Sequence, residues 1–241
     1  MTVADGTVLV TGANRGIGRA LVDELLRRDV KRVYAGTRQP LAHPDSRVTA
    51  ITLDVTDAEQ IRAAAERVQS LDLLINNAGL AVLGGLADRA SLERQLAVNV
   101  YGPFDVTAAF VPALSRSRGA IVNVLSMSAL ASLPMMPAYA ISKAAAFSLT
   151  QAARAALAGR DVSVHAVLAG PVDTEMVAEL EIPKASPESV ARAILDGLQA
   201  GEEEIFPDPV AAAFADGWRE SAVKALEREF AAFAPADAVA A

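Results

Sequence analysis

The sequence contains no cysteine, which excludes disulfide bonds, thiolate nucleophiles and zinc–thiolate centres. It has only two histidines, His43 in a proline-flanked loop and His165 inside an apolar run, and we interpret both as structural. No cluster of residues with metal-ligand spacing is present, so no metal is predicted. Chemistry that depends on sulfur or on a bound metal is therefore not expected.

The chain also lacks basic character. Its formal net charge is −7, its isoelectric point is about 4.9, and no run of Lys and Arg exceeds three residues. Nucleic acid and anionic membranes are therefore poor partners. The N-terminus reaches the apolar run at Thr7 without a basic region or a cleavage site, and no window approaches the length of a membrane span. We expect a cytoplasmic protein without a membrane partner.

The chain does contain short β-branched runs that alternate with longer amphipathic ones. The predicted strands are 7–11, 32–37, 48–53, 71–76, 119–125, 162–168 and 203–206. The predicted helices are 16–28, 57–69, 89–114, 138–158, 187–200 and 209–232. Continuous apolar strands separated by helices indicate a parallel sheet covered on both faces. No linker or repeat divides residues 1–241, so we predict one doubly wound α/β domain with a C-terminal helical extension at 208–233.

A glycine-rich turn at residues 11–18, Thr-Gly-Ala-Asn-Arg-Gly-Ile-Gly, joins the first predicted strand to the first helix. Glycines at such a turn allow the backbone to approach a pyrophosphate, whose charge is then held by the helix N-terminus. The alternative is a tight turn without a ligand. The position of the run, at the first strand-to-helix turn of an alternating chain, favours dinucleotide binding.

The residues after the second strand favour one form of the dinucleotide. An acidic residue there would accept hydrogen bonds from the adenosine ribose of NAD. This chain has Thr37 and Arg38 instead, and Arg15 projects from the glycine turn toward the same region. Two guanidinium groups favour a 2′-phosphate, so we predict NADP(H). The alternative is that either arginine is a solvated surface charge.

Two further strand ends carry candidate residues. Asp54 and Val55 close the third strand, where the carboxylate is placed either to accept from an adenine amino group or to cap the helix that begins near Asp57. The fourth strand ends in the run Asn76-Asn77-Ala78-Gly79. Ligands bind at this edge of open α/β sheets, so we expect the run to line the crevice for the nicotinamide ribose.

The candidate catalytic pair is Tyr139 and Lys143. The two residues lie four apart in a predicted helix, and their side chains therefore share a face. A phenol titrates near ~10, and a neighbouring ammonium favours the phenolate and lowers that pKa by roughly one to three units. The spacing therefore predicts a proton-transfer device with a lowered tyrosine pKa.

Taken together, these motifs resemble the short-chain dehydrogenase/reductase family, over about residues 5–206. The order and spacing are similar for the glycine turn, the run that begins at Asn76, Asn99, Ser126 and the Tyr139–Lys143 pair. The resemblance implies a Rossmann-type fold with about seven parallel strands. Thr37 and Arg38, together with Arg15, resemble the NADP(H)-preferring carbonyl reductases within the family.

The resemblance also implies a role for each matching residue. Tyr139 would be the general acid in reduction and the base in oxidation, and Lys143 would lower its pKa and hold the ribose hydroxyls of the nicotinamide. Ser126 would hydrogen-bond the substrate oxygen, with Ser128 as an alternative donor, and Asn99 would fix a water that links Lys143 to solvent. The implied cofactor site comprises Gly12, Asn14, Arg15, Gly16, Ile17, Gly18, Thr37, Arg38, Asp54, Val55, Asn77, Ala78, Gly79, Tyr139, Lys143, Gly170, Val172 and Thr174.

The chain departs from the family pattern at two positions. Leu125 replaces a frequent serine, which leaves the spacing of Ser126 unchanged. Ala169 replaces the proline that usually precedes the glycine, which loosens the turn before Val172 and Thr174. Neither change removes a residue with a proposed chemical role.

Apolar residues near the motifs suggest the substrate and the assembly. The candidate pocket residues, each of which is equally compatible with the core, are Leu80, Leu83, Met127, Leu133, Met135, Met136 and Met176. They suit an apolar ketone, aldehyde or secondary alcohol in a relatively open pocket. Alanines on the helices that begin near 89 and 138 predict a homodimer or homotetramer. An apolar stripe in the tail, which includes Trp218 and Phe230, predicts core or interface rather than a lid.

The leading function is therefore NADP(H)-dependent interconversion of a carbonyl and an alcohol. A non-catalytic dinucleotide sensor or scaffold would tolerate loss of Tyr139 or Lys143, and both are present. A lyase on the same fold would be expected to replace Lys143 and disrupt the dinucleotide crevice. Reduction of carrier-linked 3-oxoacyl groups is a further alternative, which the net charge disfavours.

Overall fold

The fold is built on a seven-stranded parallel sheet. The computed structural model describes residues 3–179 and 181–233 of the chain. The strand order is β3-β2-β1-β4-β5-β6-β7. The strands are β1 (Thr7–Thr11), β2 (Arg32–Thr37), β3 (Val48–Thr52), β4 (Leu73–Asn76), β5 (Ala120–Val124), β6 (Ser163–Val167) and β7 (Glu204–Ile205). The chain order changes direction between β1 and β4, which opens a crevice at the carboxyl ends of the strands. The predicted doubly wound Rossmann-type fold is confirmed.

Nine α-helices lie in the described part of the chain. They are α1 (Gly16–Arg27), α2 (Ala58–Arg67), α3 (Arg89–Leu96), α4 (Gly102–Ser117), α5 (Pro137–Leu157), α6 (Pro187–Ala200), α7 (Pro209–Ala212), α8 (Ala215–Arg219) and α9 (Ala222–Ala231). None of these helices is both long enough and apolar enough to span a bilayer.

The core has two main layers, one on each face of the sheet. Val8 and Val10 on β1 pack in the layer that contains α1 and α6, whereas Leu9 between them packs in the layer that contains α2 and α4. This division follows from the alternation of side chains along a strand. Both faces of the central strands are buried, as the continuous apolar runs predict.

The predicted helix 89–114 is wrong as one continuous element. A π-helical turn at Ala97–Tyr101 separates α3 from α4. The turn contains Asn99, whose buried amide group donates to the Leu80 carbonyl at 2.8 Å and to Ser142 Oγ at 2.9 Å. The irregular turn accompanies these tertiary bonds, which the helical period in the sequence cannot show.

The predicted helix 209–232 is also wrong as one element, because the structure contains three short helices, α7, α8 and α9, in its place. Trp218 packs its ring on Phe147 of α5 at 5.4 Å and donates from Nε1 to Glu204 Oε2 at 3.0 Å. The other aromatic and aliphatic residues of the predicted stripe are exposed, namely Phe214, Leu226, Phe230 and Phe233. The stripe therefore belongs to the core only at Trp218, and the alternative that the other residues form an interface stays a prediction.

Candidate active site

A cavity of about 680 Å³ opens at the carboxyl ends of the central strands. Most of the predicted cofactor residues line it: Gly12, Asn14, Arg15, Gly16, Ile17, Gly18, Thr37, Arg38, Asp54, Val55, Asn77, Ala78, Gly79, Tyr139, Lys143 and Thr174. Asn99, Ser126, Gly170 and Val172 lie outside this lining set. The cavity thus joins the glycine turn to the tyrosine–lysine pair through one continuous space.

The glycine turn forms the floor of the cavity at its phosphate end. Gly12 and Gly16 have φ angles of +65° and +52°, which side chains with a Cβ rarely adopt. A Cβ on Gly18 would lie 2.2 Å from the Gly12 carbonyl oxygen. The turn therefore requires glycine at these positions, and it leaves the N-terminus of α1 open to the cavity.

Hydrogen bonds from β4 fix the glycine turn in place. Thr11 Oγ1 accepts from the backbone amides of Asn77 and Ala78, both at 3.0 Å. The Asn77 side chain donates to the carbonyl oxygens of Thr11 and Gly12 at 2.9 and 3.2 Å. Asn76 is buried and donates to Thr107 and Asn123, so the prediction that it lines the crevice is wrong.

Two arginines, Arg15 and Arg38, line the cavity, and both are exposed. Arg15 also forms an ion pair with Glu175, a residue far away in sequence. The Thr37 side chain is buried and donates to the Gln39 carbonyl at 2.5 Å, so its hydroxyl is engaged within the protein.

Asp54 lies beside Arg38 and does not cap a helix. Its Oδ1 accepts from the Thr56 amide and hydroxyl at 2.9 and 2.7 Å. Burial acts to raise its pKa, but these hydrogen bonds and the charge of Arg38 outweigh burial and hold the pKa below its usual value. Asp57 caps α2 instead, so the capping alternative for Asp54 is wrong.

Tyr139 stands at the far end of the cavity, near the N-terminus of α5. Burial raises its pKa to about 12, although a hydrogen bond with the Ser126 side chain acts to lower it. The predicted lowering of the tyrosine pKa is therefore wrong for the protein without ligand. Ser126 Oγ also accepts from the Ser128 amide at 3.1 Å, whereas the buried Ser128 Oγ has no hydrogen-bond partner among the described residues.

Lys143 is buried beside Tyr139 without a neighbouring carboxylate in the described ranges. Its Nζ donates to the Val124 carbonyl at 2.9 Å and lies 5.7 Å from the centre of the Tyr139 ring. Burial lowers the pKa of Lys143 to about 8. The Lys143 charge therefore affects the Tyr139 pKa less than burial does.

The Asn99 side chain connects the loop after β4 to α5. Its Oδ1 accepts from the Leu80 amide at 2.8 Å, and its Nδ2 donates to Leu80 and Ser142. Ser142 Oγ donates in turn to the Tyr139 carbonyl at 2.8 Å. Asn99 therefore supports the helical turn that carries Tyr139, and the predicted water that links it to Lys143 remains a prediction.

The sequence did not point to six residues that line the cavity, namely Gln39, Leu53, Val98, Val124, Leu125 and Glu175. Leu80 and Met176, predicted as substrate contacts, also line the cavity. Met136 is buried and belongs to the core, whereas Leu83, Leu133 and Met135 are exposed. The one feature of the sequence that could have placed Glu175 in the cavity lining is its position next to Thr174.

Known proteins support the assignment that the geometry suggests. Residues 6–185 match the family described as short chain dehydrogenase. A 2-(S)-hydroxypropyl-CoM dehydrogenase from Xanthobacter autotrophicus is 36% identical over 201 residues, which are 77% of this chain and 79% of that protein. An estradiol 17-beta-dehydrogenase 2 from Rattus norvegicus is 33% identical over 73% of this chain, and the match spans only 51% of the rat protein.

A solved structure gives the same result. A short chain dehydrogenase from Burkholderia cenocepacia, determined in complex with NADP, superimposes with a TM-score of 0.87. The two proteins are 38% identical, and the match covers 95% of this chain and 98% of the other. The two proteins therefore share one fold, and this chain belongs to the short-chain dehydrogenase/reductase family.

Proposed function

We propose that this protein is an NADP(H)-dependent oxidoreductase that interconverts an apolar ketone or aldehyde and the corresponding alcohol. The observation that carries the proposal is the single cavity that extends from the glycine turn to Tyr139 and Lys143. The residues fit NADP(H), because three glycines of the turn line the cavity at the N-terminus of α1 and two exposed arginines line the same cavity. The NADP complex of the Burkholderia relative supports the same cofactor.

The chain's own residues would hold the substrate and deliver a proton. When bound, NADPH supplies the hydride that reduces the carbonyl carbon. Tyr139 donates its phenolic proton to the carbonyl oxygen, and the Ser126 hydroxyl stabilises negative charge on that oxygen. Lys143 stabilises the phenolate that forms on Tyr139. Oxidation of the alcohol reverses these proton transfers.

A panel of aliphatic and aromatic carbonyls, followed at the NADPH absorbance band, tests the proposal. Tyr139→Phe removes the proton donor and keeps the ring, so turnover should fall by about 100-fold or more while NADPH still binds. Tyr34→Phe is the matched control, because Tyr34 lies on β2 outside the cavity lining. Turnover of Tyr139→Phe equal to that of Tyr34→Phe would reject the proposed role of Tyr139.

The proposed assembly is a homodimer or homotetramer that associates through α4 and α5. Small or apolar residues are exposed on these helices, including Phe104, Ala108, Ile141 and Ala144. Small side chains permit close approach of two symmetric copies. Sedimentation should give a mass of at least two chains, and a mass of one chain would contradict the proposal.

A further inference from the structure

Asp208 is a buried carboxylate that follows β7, outside every motif identified in the sequence. Asp208 is 5% exposed. Its two carboxylate oxygens accept hydrogen bonds from different parts of the chain. Oδ1 accepts from the amides of Val210 and Ala211 at 3.1 and 3.0 Å and so caps α7. Oδ2 accepts from the amide of Gly170 at 2.7 Å, across 38 residues of sequence. Capping therefore uses only one of the two oxygens.

Gly170 begins the segment that reaches the cavity after β6. The Ala185 amide donates to the Pro171 carbonyl at 2.9 Å, and the Asp173 amide donates to the Ala185 carbonyl at 2.8 Å. These two hydrogen bonds fix the later part of the segment. Thr174 then lines the cavity. A Cβ on Gly170 would lie 2.6 Å from Asp208 Oδ1, so the close approach of backbone and carboxylate requires glycine. The Asp208 bond thus fixes the beginning of this segment.

The same segment is bonded to the loop that carries Ser126. The Ala169 carbonyl accepts from the Met127 amide at 2.9 Å, and Met127 follows Ser126 directly. A shift of residues 169–170 would therefore move the backbone near Thr174 and also Met127, the residue next to Ser126. One carboxylate at the end of β7 is placed to influence two sides of the proposed site.

We infer that Asp208 is a positioning residue, which holds residues 169–174 where they contact the nicotinamide end of the cofactor. The inference rests on the proposed function, because it uses the proposed contacts of Val172 and Thr174. A hydrogen bond from an amide to an ionised carboxylate is stronger than one between neutral groups, which suits a contact that orients a loop. Asp57, which caps α2, differs because its second oxygen accepts from Gln60 of its own helix.

The test is calorimetric binding of two ligands, NADP⁺ and 2′-phospho-ADP-ribose, which lacks the nicotinamide. Asp208→Asn keeps one oxygen for the cap and turns an amide group toward the Gly170 N–H, so the capped helix is retained and the bond to Gly170 is lost. We expect the affinity for NADP⁺ to fall by about tenfold, while the affinity for the fragment changes less than about twofold. Asp57→Asn, a capping aspartate outside the cavity lining, should change neither affinity.

Equal losses for the two ligands, or no loss for either, would overturn the inference. If Asp208→Asn does not fold, Gly170→Ala disturbs the same contact from the other partner and should give the same selective loss. If neither variant folds, the contact serves the fold alone and the inference is rejected. Turnover of the carbonyl panel by the wild-type protein is measured separately. If the wild-type protein is inactive but Asp208→Asn shows the selective loss of binding, only the proposed reaction is rejected.

Discussion

Replacing Lys143 with methionine is expected to stabilise the protein without ligand at neutral pH, although it should abolish the proposed activity. Lys143 is buried, and its ammonium has a carbonyl oxygen rather than a carboxylate as its recorded partner. Burial lowers its pKa from 10.5 to about 8. That difference corresponds to about 3 kcal/mol of destabilisation while the group is charged in the folded state.

The lost hydrogen bond acts in the opposite direction. Methionine has a similar length but leaves the Val124 carbonyl without its donor, which costs about 1 kcal/mol. The relief of the buried charge is larger, so the free energy of unfolding at pH 7 should rise by about 2 kcal/mol. Urea unfolding at one fixed protein concentration measures this difference.

The difference between the two proteins should depend on pH in a defined window. The cost of the buried ammonium is fully present below pH 8, because the unfolded chain keeps its proton up to about 10.5. As pH rises from 8 to 10, the folded wild-type protein loses the proton from Lys143 and gains stability relative to the variant. The two stability curves should therefore cross at pH ~9.5, and the wild-type protein should be the more stable above that pH by about 1 kcal/mol. A less stable variant at pH 7, or two parallel pH curves, would refute the reasoning.

Three other substitutions test other parts of the structure. Lys224→Met should destabilise the protein by about 3 kcal/mol, the reverse of Lys143→Met, because Lys224 is buried 2.8–3.0 Å from Glu203, Glu204 and Glu227, and Arg154 alone among the described residues would then remain to pair with the last two; urea unfolding measures the difference. Arg38→Gln should lower the preference for NADPH over NADH in kcat/KM by about tenfold, with Arg62→Gln as the surface control. Gly18→Ala should weaken NADPH binding in a fluorescence titration by at least about tenfold, whereas Gly159→Ala should not, since a Cβ on Gly159 meets no atom within 4 Å.

The secondary structure could be predicted from the sequence where the local pattern and the tertiary contacts agree. The bounds of β1, β2 and α6 are as predicted, and each shows either a continuous apolar run or a strong amphipathic period. The π-helical turn at Ala97–Tyr101 was missed because its apolar pattern does not differ from that of a helix. The tail divides into three helices where Trp218 turns inward to bond with Glu204, a contact that no helical period predicts.

The residues of the candidate site could be predicted further than its electrostatics. The motifs place the glycine turn and Tyr139 on one cavity, since strand ends in a parallel sheet meet at one edge. The direction of the Tyr139 pKa depends on burial, which a four-residue spacing does not reveal. Arg15 and Glu175 are paired across 160 residues, which only the fold can bring together. Asp208 had one local signal, because Asp before Pro209 after a strand is a frequent helix start.

The raised pKa of Tyr139 is compatible with its proposed role as a proton donor. A phenol with a pKa of about 12 keeps its proton throughout the neutral range, which reduction requires. When the carbonyl carbon receives a hydride, its oxygen becomes an alkoxide, which is a much stronger base than a phenolate. Proton transfer from Tyr139 to that oxygen is therefore still downhill. The same burial opposes formation of the phenolate in the absence of substrate, so Lys143, at 5.7 Å from the ring, has its largest effect after the proton has left.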